Sequence, residues 1–144
     1  MNIEFYPWEI AENFALQIRI EVFVHEQGVP IEIEQDIYDF SALHAILFHD
    51  GIPIGTGRLF KEDSGSTIYS IGRVCVLKSY RQQGFGRLIM NSLIEKAKHQ
   101  RATQCQIHAQ VTSRSFYERL CFMSTSDVFM EAGIEHVMMS LTMS

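Results

Sequence analysis

The chain has 144 residues, 47% of them hydrophobic and 20% charged, and this length and composition are typical of one globular domain. The formal net charge is −5 with the six histidines counted as neutral, which excludes the overall basic field that drives nucleic-acid binding through phosphate contacts. The three cysteines are odd in number and widely spaced, so they indicate reduced thiols and not a disulfide framework. We therefore expect a single domain over residues 1–144 that binds no nucleic acid.

The first residues lack the basic start and apolar centre of a signal peptide. No apolar run approaches the roughly 18 residues that a membrane-spanning helix needs. A cytoplasmic location without membrane contact is the expectation.

The N-terminal part begins with alternating residues 2–6, which predict a short strand, and Pro7 suits the first turn of a helix. Apolar residues then recur at intervals of four and predict one helical face that ends at Gly28: Phe14, Ile18 and Val22. The acidic stretch after it is predicted to be a loop; it contains Glu32, Glu34, Asp36 and Asp39.

A hairpin signal follows from residue 43. Two stretches of period two, 43–48 and 52–60, flank Asp50-Gly51, and glycine supplies the positive φ that a tight turn requires. The next strand, 67–77, carries apolar residues on both faces and is therefore expected in the centre of the sheet.

The second half contains a clear amphipathic helix after Gly84, with Phe85, Ile89 and Leu93 on one stripe. A strand over 103–110, a short helix over 113–120 and two final strands within 121–142 complete the order β-α-(α)-β-β-β-α-β-α-β-β. The predicted fold class is α/β, a mixed sheet with helices packed on its faces.

The turn Arg81-Gln82-Gln83-Gly84-Phe85-Gly86 leads from the central strand into this helix. Free amides of a first helical turn form an anion site, and glycine lets a phosphate approach the backbone. Arg81 and Arg87 add positive charge. The third glycine of a dinucleotide fingerprint and the Gly-Lys-Ser/Thr of a P-loop are both missing. A turn that needs glycine only for its geometry remains an equal alternative.

Two motifs in order carry a family resemblance. Arg81-x-x-Gly84-x-Gly86 after an apolar strand resembles the coenzyme A motif of GCN5-related N-acetyltransferases (GNAT), and Phe116-Tyr117-Glu118-Arg119-Leu120-Cys121-Phe122 is similar to a second motif of that family. Upstream, Arg19-x-x-Val22-Phe23-Val24-x-Glu26-Gln27 resembles its small ElaA-like subgroup. The resemblance implies the GNAT fold, with a splayed mixed sheet flanked by helices.

The resemblance also implies acetyl-CoA as the cofactor and an N-acetyltransferase that modifies a primary amine of a small molecule or peptide. Strand four would splay from strand five to admit the pantetheine arm, and Gln110 would hydrogen-bond the arm or the acceptor, or cap the following loop. The implied cofactor-binding residues are Val74, Cys75, Val76, Arg81, Gln82, Gln83, Gly84, Phe85, Gly86, Arg87, Gln110 and Phe116, although Phe116 also fits a core position.

By the same analogy Tyr117 would protonate the departing thiolate, and the backbone N–H of Val76 would hold the oxyanion. Strand 71–77 lacks the carboxylate that some relatives use as a base. His108 and His136 are the candidates, because histidine titrates near neutral pH; a water chain, or a purely structural role for both, is the alternative.

Glu26, Gln27, Asp36 and Asp39 are the candidate acceptor-binding residues, since an acidic group would attract a cationic amine. Arg58 and Arg73, however, lie within apolar strands, where an unpaired charge is costly. Asp36 and Asp39 are plausible partners for them, which would make the acidic stretch structural.

Three further expectations complete the sequence-based view. His44 and His49 fall on opposite faces of one strand, so no metal site is predicted. Cys121 replaces the glycine of the second motif, which costs about 1 kcal/mol if that residue is left-handed, and an acyl-cysteine route is a minor hypothesis. A catalytically silent acyl-CoA sensor is the alternative function, and edge strands leave a homodimer possible.

Overall fold

The computed structural model describes residues 1–143. Five α-helices are present in this range: α1 (Trp8–Arg19), α2 (Ile31–Glu34), α3 (Tyr38–Ser41), α4 (Phe85–His99) and α5 (Arg114–Glu118). The strands are β1 (Asn2–Tyr6), β2 (Leu43–His49), β3 (Ile52–Phe60), β4 (Ile68–Val76), β5 (Gln104–Gln110), β6 (Met123–Ser124), β7 (Phe129–Glu131) and β8 (Ile134–Thr142). A π-helical segment, Ile20–Glu26, continues α1.

All eight strands form one mixed sheet in the order β1-β2-β3-β4-β5-β8-β6, with β7 paired to β8. The β4–β5 pair is parallel and the other pairs are antiparallel. A parallel pair needs a crossover connection, and α4 supplies it. The predicted fold class is confirmed, and β4 lies at the centre of the sheet as expected.

Helix α4 packs closely on the sheet because β3 carries two glycines beneath it. A Cβ atom on Gly55 would lie 2.7 Å from Ile89 Cδ1, and one on Gly57 would lie 2.8 Å from Leu93 Cδ1. Ile89 and Leu93 are fully buried, so the apolar stripe predicted for this helix is its core face. This close contact fixes the N-terminus of α4 relative to the end of β4.

The two central strands separate halfway along their length. Parallel pairing between β4 and β5 ends at Ile71 and Ile107. Two residues after Ile71, β4 carries a bulge against β3, where Arg73 has a left-handed φ of 53°, and a bulge bends the strand that contains it. The outer halves of β4 and β5 therefore diverge and leave a wedge-shaped opening.

Three sequence-based predictions are corrected. The helix predicted to continue to Gly28 becomes π-helical from Ile20, with Gln27 N bonded to Val22 O over 3.2 Å. The acidic stretch predicted as a loop contains the short helices α2 and α3. The last part of the chain holds three strands instead of two, because β7 and β8 form a hairpin whose turn has φ of 53° at Ala132 and 76° at Gly133.

Candidate active site

A cleft of about 690 Å³ occupies the opening between β4 and β5. Its walls come from the outer halves of these two strands, the residues after the π-helical segment, α5, and the β7–β8 hairpin. Ligand sites in open sheets commonly lie where neighbouring strands separate. The cleft therefore marks the place where a ligand can lie between the strands.

The N-terminus of α4 presents a run of free backbone amides directly after Arg81, a residue that lines this cleft. Leu88 N is the first amide of α4 to make a helical bond, to Gly84 O over 3.1 Å. The six preceding amides, 82–87, donate to no acceptor within residues 1–143. Gln82 and Gly84 have left-handed φ of 64° and 84°, which turns the chain so that consecutive amides can converge on one anion. The predicted anion site is therefore a run of consecutive backbone amides that have no acceptor within residues 1–143.

Arg81 is anchored next to these amides by protein contacts on two sides. Its Nε donates to the carbonyl oxygen of Val76 over 2.9 Å, and its Nη1 and Nη2 donate to the carboxylate of Glu26 over 2.9 and 2.6 Å. Arg81 and Glu26, predicted to contact cofactor and acceptor respectively, are thus brought together. The hydrogen bonds and charge of Arg81 keep the pKa of Glu26 below its usual range.

The exposed edge of β4 faces the opening over the residues predicted to bind pantetheine. Cys75 and Val76 pair with β3 through Thr56 and Gly55, but past Ile71 no strand within residues 1–143 pairs with the opposite edge. Across the opening, Gln110 Nε2 donates to Gln27 Oε1 over 2.8 Å. A ligand arm that entered here could add hydrogen bonds to β4 as an extra strand does.

Tyr117 lies on α5 and lines the cleft with a side chain that is 8% exposed. Burial and the neighbouring Cys75 raise the pKa of Tyr117, so its phenol stays protonated at neutral pH. Burial raises the pKa of Cys75 itself to about 12, which leaves its thiol non-nucleophilic. Phe116 does not line the cleft. A Cβ atom added to Gly86 would lie 3.5 Å from its ring, so Phe116 lies next to the first turn of α4.

Both predicted histidines line the cleft, together with a carboxylate that the sequence did not single out. His108 Nδ1 lies 2.8 Å from Glu131 Oε1, and His136 Nε2 lies 3.9 Å from Glu131 Oε2. The signal that could have revealed Glu131 is Ala132-Gly133, since glycine after a β-rich stretch predicts a hairpin turn. That hairpin brings the carboxylate to the histidines.

The acidic stretch is largely structural, as the pairing alternative predicted. Arg58 bonds to Asp36 over 2.7 Å and to Asp39 over 2.8 Å, and Arg73 lies 3.4 Å from Asp36. Asp39 is 1% exposed, does not line the cleft, and accepts further bonds from Arg19. The expectation that Asp39 contacts the acceptor is therefore corrected. Asp36, in contrast, lines the cleft and is partly exposed there.

Within residues 1–143, no group of three or more histidine, cysteine, aspartate or glutamate side chains is arranged to hold a metal ion. The same range contains no helix of sufficient length and apolar character to cross a bilayer.

Comparisons with known proteins agree with this geometry. The model of the acetyltransferase (GNAT) domain matches residues 10–143. The uncharacterized N-acetyltransferase YjcF of Bacillus subtilis is 35% identical over 126 residues, which cover 87% of this chain and 88% of that protein.

Two solved structures share the fold. An acyl-CoA N-acyltransferase from Pseudomonas aeruginosa has a TM-score of 0.86 and 27% identity, covering 96% of this chain and 97% of that one. Escherichia coli ElaA has a TM-score of 0.86 and 24% identity with the same coverage. The resemblance inferred from the two motifs is thereby confirmed, and the chain belongs to the GNAT acetyltransferase family.

Proposed function

We propose that this protein is an N-acetyltransferase that transfers the acetyl group of acetyl-CoA to a primary amine of a small molecule or peptide, by direct attack of the amine on the thioester. The observation that carries the proposal is the run of six free amides at 82–87 beside the opening between β4 and β5. No second function is favoured by a specific observation.

Binding of the cofactor follows from this arrangement. The amides of 82–87 and the dipole of α4, a helix of 15 residues, would hold the diphosphate. The backbone of 74–76 would hydrogen-bond the pantetheine arm in the opening. The solved structure of the Pseudomonas aeruginosa acyl-CoA N-acyltransferase, a relative above one quarter identity, supports an acyl-CoA as the donor.

Transfer requires a neutral amine, a site for the oxyanion and a proton for the leaving thiolate. A backbone amide of β4, that of Val76, is the candidate for the oxyanion. The Tyr117 phenol is the proton donor that the cleft offers to the sulfur, because burial favours its neutral form. A nitrogen–carbon bond forms, the carbon–sulfur bond breaks, and the products are the amide and free coenzyme A.

Two measurements test the proposal. Calorimetry with acetyl-CoA should give a measurable dissociation constant, and Arg87→Glu should weaken it by at least about tenfold, since Arg87 lies in the first turn of α4. Arg119→Glu, at an exposed arginine directly after α5, is the control and should leave binding unchanged. Absence of binding by the folded protein would overturn the proposal.

Turnover is measured as free thiol released from acetyl-CoA with phenethylamine, spermidine and a lysine-containing peptide as acceptors. Tyr117→Phe should lower kcat by about 10- to 100-fold while the dissociation constant of acetyl-CoA stays the same. Binding without turnover on any acceptor would instead support a silent acyl-CoA sensor. Unchanged kcat in Tyr117→Phe would exclude the phenol as the proton donor.

A further inference from the structure

Three side chains from three strands meet on the acceptor side of the cleft: His108 on β5, Glu131 on β7 and His136 on β8. All three line the cleft. Phe129 packs against both imidazoles, with ring centroids 5.4 Å from His108 and 6.0 Å from His136. The cluster is therefore held by a hairpin and an aromatic ring, and it forms one wall of the cleft.

The position of His108 along β5 places it where the strands separate. It is the first residue after Ile107, the last residue of β5 that pairs with β4. Gln106, His108 and Gln110 alternate onto the same face of β5, and all three line the cleft. The imidazole thus lies at the inner end of the opening that would receive the thioester.

The two histidines have different access to a substrate. The His108 side chain is 39% exposed, and within residues 1–143 its Nε2 has no hydrogen-bond partner. The His136 side chain is 8% exposed, and its Nδ1 donates to the carbonyl oxygen of Ile134 over 2.8 Å. His108 can accept a proton from a substrate in the cleft, whereas His136 is placed to support the hairpin.

We propose that His108 is the general base that deprotonates the acceptor ammonium group, and that Glu131 is a positioning residue that accepts the Nδ1–H bond and so leaves Nε2 free to take the proton. The inference rests on the proposed function and assigns the base that β4 lacks. It adds Glu131, a residue without any motif signal in the sequence.

The proton and electron balance of the step is complete without another reagent. His108 Nε2 takes one proton from the ammonium group, directly or through a water, and later releases it to solvent. The amine lone pair then forms the nitrogen–carbon bond. As the carbon–sulfur bond breaks, Tyr117 gives its phenolic proton to the thiolate. A second proton then leaves the nitrogen and restores the phenol of Tyr117.

The surrounding charges favour this division of roles. The hydrogen bond and charge of Glu131, together with Glu62 after β3, raise the pKa of His108, against the opposing effect of burial. His108, His136 and Arg73 on β4 lower the pKa of Glu131. Glu131 therefore stays anionic at neutral pH, and it stabilises the imidazolium that forms when the proton is taken.

The first test does not need an acceptor. Titration of the histidine Cε1–H resonances by NMR, with coenzyme A bound, should show the midpoint of His108 at least about half a pH unit lower in Glu131→Gln than in the unmodified protein. Glu135→Gln, an exposed neighbour on β8 that makes no ion pair within residues 1–143, is the matched control and should leave the midpoint in place. An unmoved midpoint in Glu131→Gln would overturn the positioning role.

The second test uses the acceptor with the highest turnover among phenethylamine, spermidine and the lysine peptide. His108→Gln should lower kcat/KM for the acceptor by about 100-fold or more and remove the acidic limb of its pH profile. Glu131→Gln should move that limb to lower pH. If the acidic limb of the pH profile persists in His108→Gln, His108 is not the base. If the unmodified protein does not bind acetyl-CoA, the proposed function itself is overturned.

Discussion

Arg81 and Glu26 form a two-point ion pair that joins the anion site to the π-helical segment. The Arg81 guanidinium donates to both carboxylate oxygens, over 2.9 and 2.6 Å. The pair is partly exposed, with side-chain exposures of 37% and 28%, so it contributes little to the free energy of unfolding. Its consequence lies in binding, because Glu26 neutralises a cation that directly precedes the free amides.

We therefore expect Glu26→Gln to tighten the binding of coenzyme A by about two- to tenfold at low salt, since the anionic ligand no longer competes with a carboxylate for Arg81. Calorimetry at 20 and 300 mM salt checks this, and the gain should shrink at the higher concentration. Glu9→Gln, an exposed carboxylate on α1, is the control. Weaker binding in Glu26→Gln would mean that the ion pair holds Arg81 in its binding position.

A second prediction concerns the ion network of Arg58, Asp36 and Asp39, of which Arg58 and Asp36 form part of the cleft wall. Arg58 is 3% exposed and satisfies both Asp36 and Asp39, and its guanidinium lies 4.7 Å from the ring centroid of Phe60. Arg58→Met keeps most of the volume but leaves two carboxylates with fewer partners. The free energy of unfolding should fall by about 3–5 kcal/mol, measured by urea denaturation.

Arg119→Met serves as the control for that measurement, since Arg119 is exposed and makes no ion pair within residues 1–143. Its free energy of unfolding should change by less than about 0.5 kcal/mol. An equally small loss of unfolding free energy in Arg58→Met would contradict the prediction. It would show that apolar contacts can replace this ion pair, as they can replace some other buried ion pairs.

The pH dependence of stability follows from the same network. Burial alone would raise the pKa of Asp39, but the hydrogen bonds and charges of Arg19 and Arg58 lower it to about 2. A carboxylate with a lowered folded pKa stabilises the protein above its unfolded pKa of about 3.9, and this stabilisation is lost as pH falls toward the folded pKa. We expect the free energy of unfolding to decrease by on the order of 2 kcal/mol from this residue between pH 5 and pH 2.

Asp39→Asn checks the source of that decrease. The variant should be less stable at pH 7, and its remaining stability should depend less steeply on pH between 5 and 2, as measured by denaturant unfolding across that range. Asp36 contributes in the same direction, because Arg58 and Arg73 also lower its pKa against the effect of burial. An unchanged slope in Asp39→Asn would assign the acid sensitivity to other carboxylates.

Much of this architecture is readable from the sequence because its signals are local. The Asp50-Gly51 hairpin, the apolar stripe of α4 and the glycine turn before it each arise from neighbouring residues, and the structure reproduces them. The buried arginines were also informative, since a charge inside an apolar strand requires a partner and the acidic stretch was the available source. Asp39 shows the limit: its charge named it as a binding residue, yet it is 1% exposed and paired with Arg19 and Arg58.

The features that the sequence did not reveal depend on contacts between residues that are distant in the chain. The separation of β4 from β5 coincides with a bulge at Arg73. Arginine rarely adopts positive φ, so the sequence gives little local indication of this bulge. The π-helical segment carries the apolar spacing that also predicts an α-helix, so the sequence does not reveal its hydrogen bonds between residues five apart. Glu131 becomes relevant only when the hairpin places it 2.8 Å from a histidine 23 positions earlier.

The final prediction concerns the backbone after α5. Cys121 adopts a left-handed φ of 73°, where the related motif has glycine, and Phe122 N bonds to Tyr117 O over 3.1 Å. A side chain in this conformation costs about 1 kcal/mol relative to glycine. Cys121→Gly should therefore raise the free energy of unfolding by roughly 0.5–1 kcal/mol, and Cys121→Ala should leave it nearly unchanged, because alanine retains the strained Cβ. Equal stabilisation by both variants would instead point to removal of the exposed thiol as the cause.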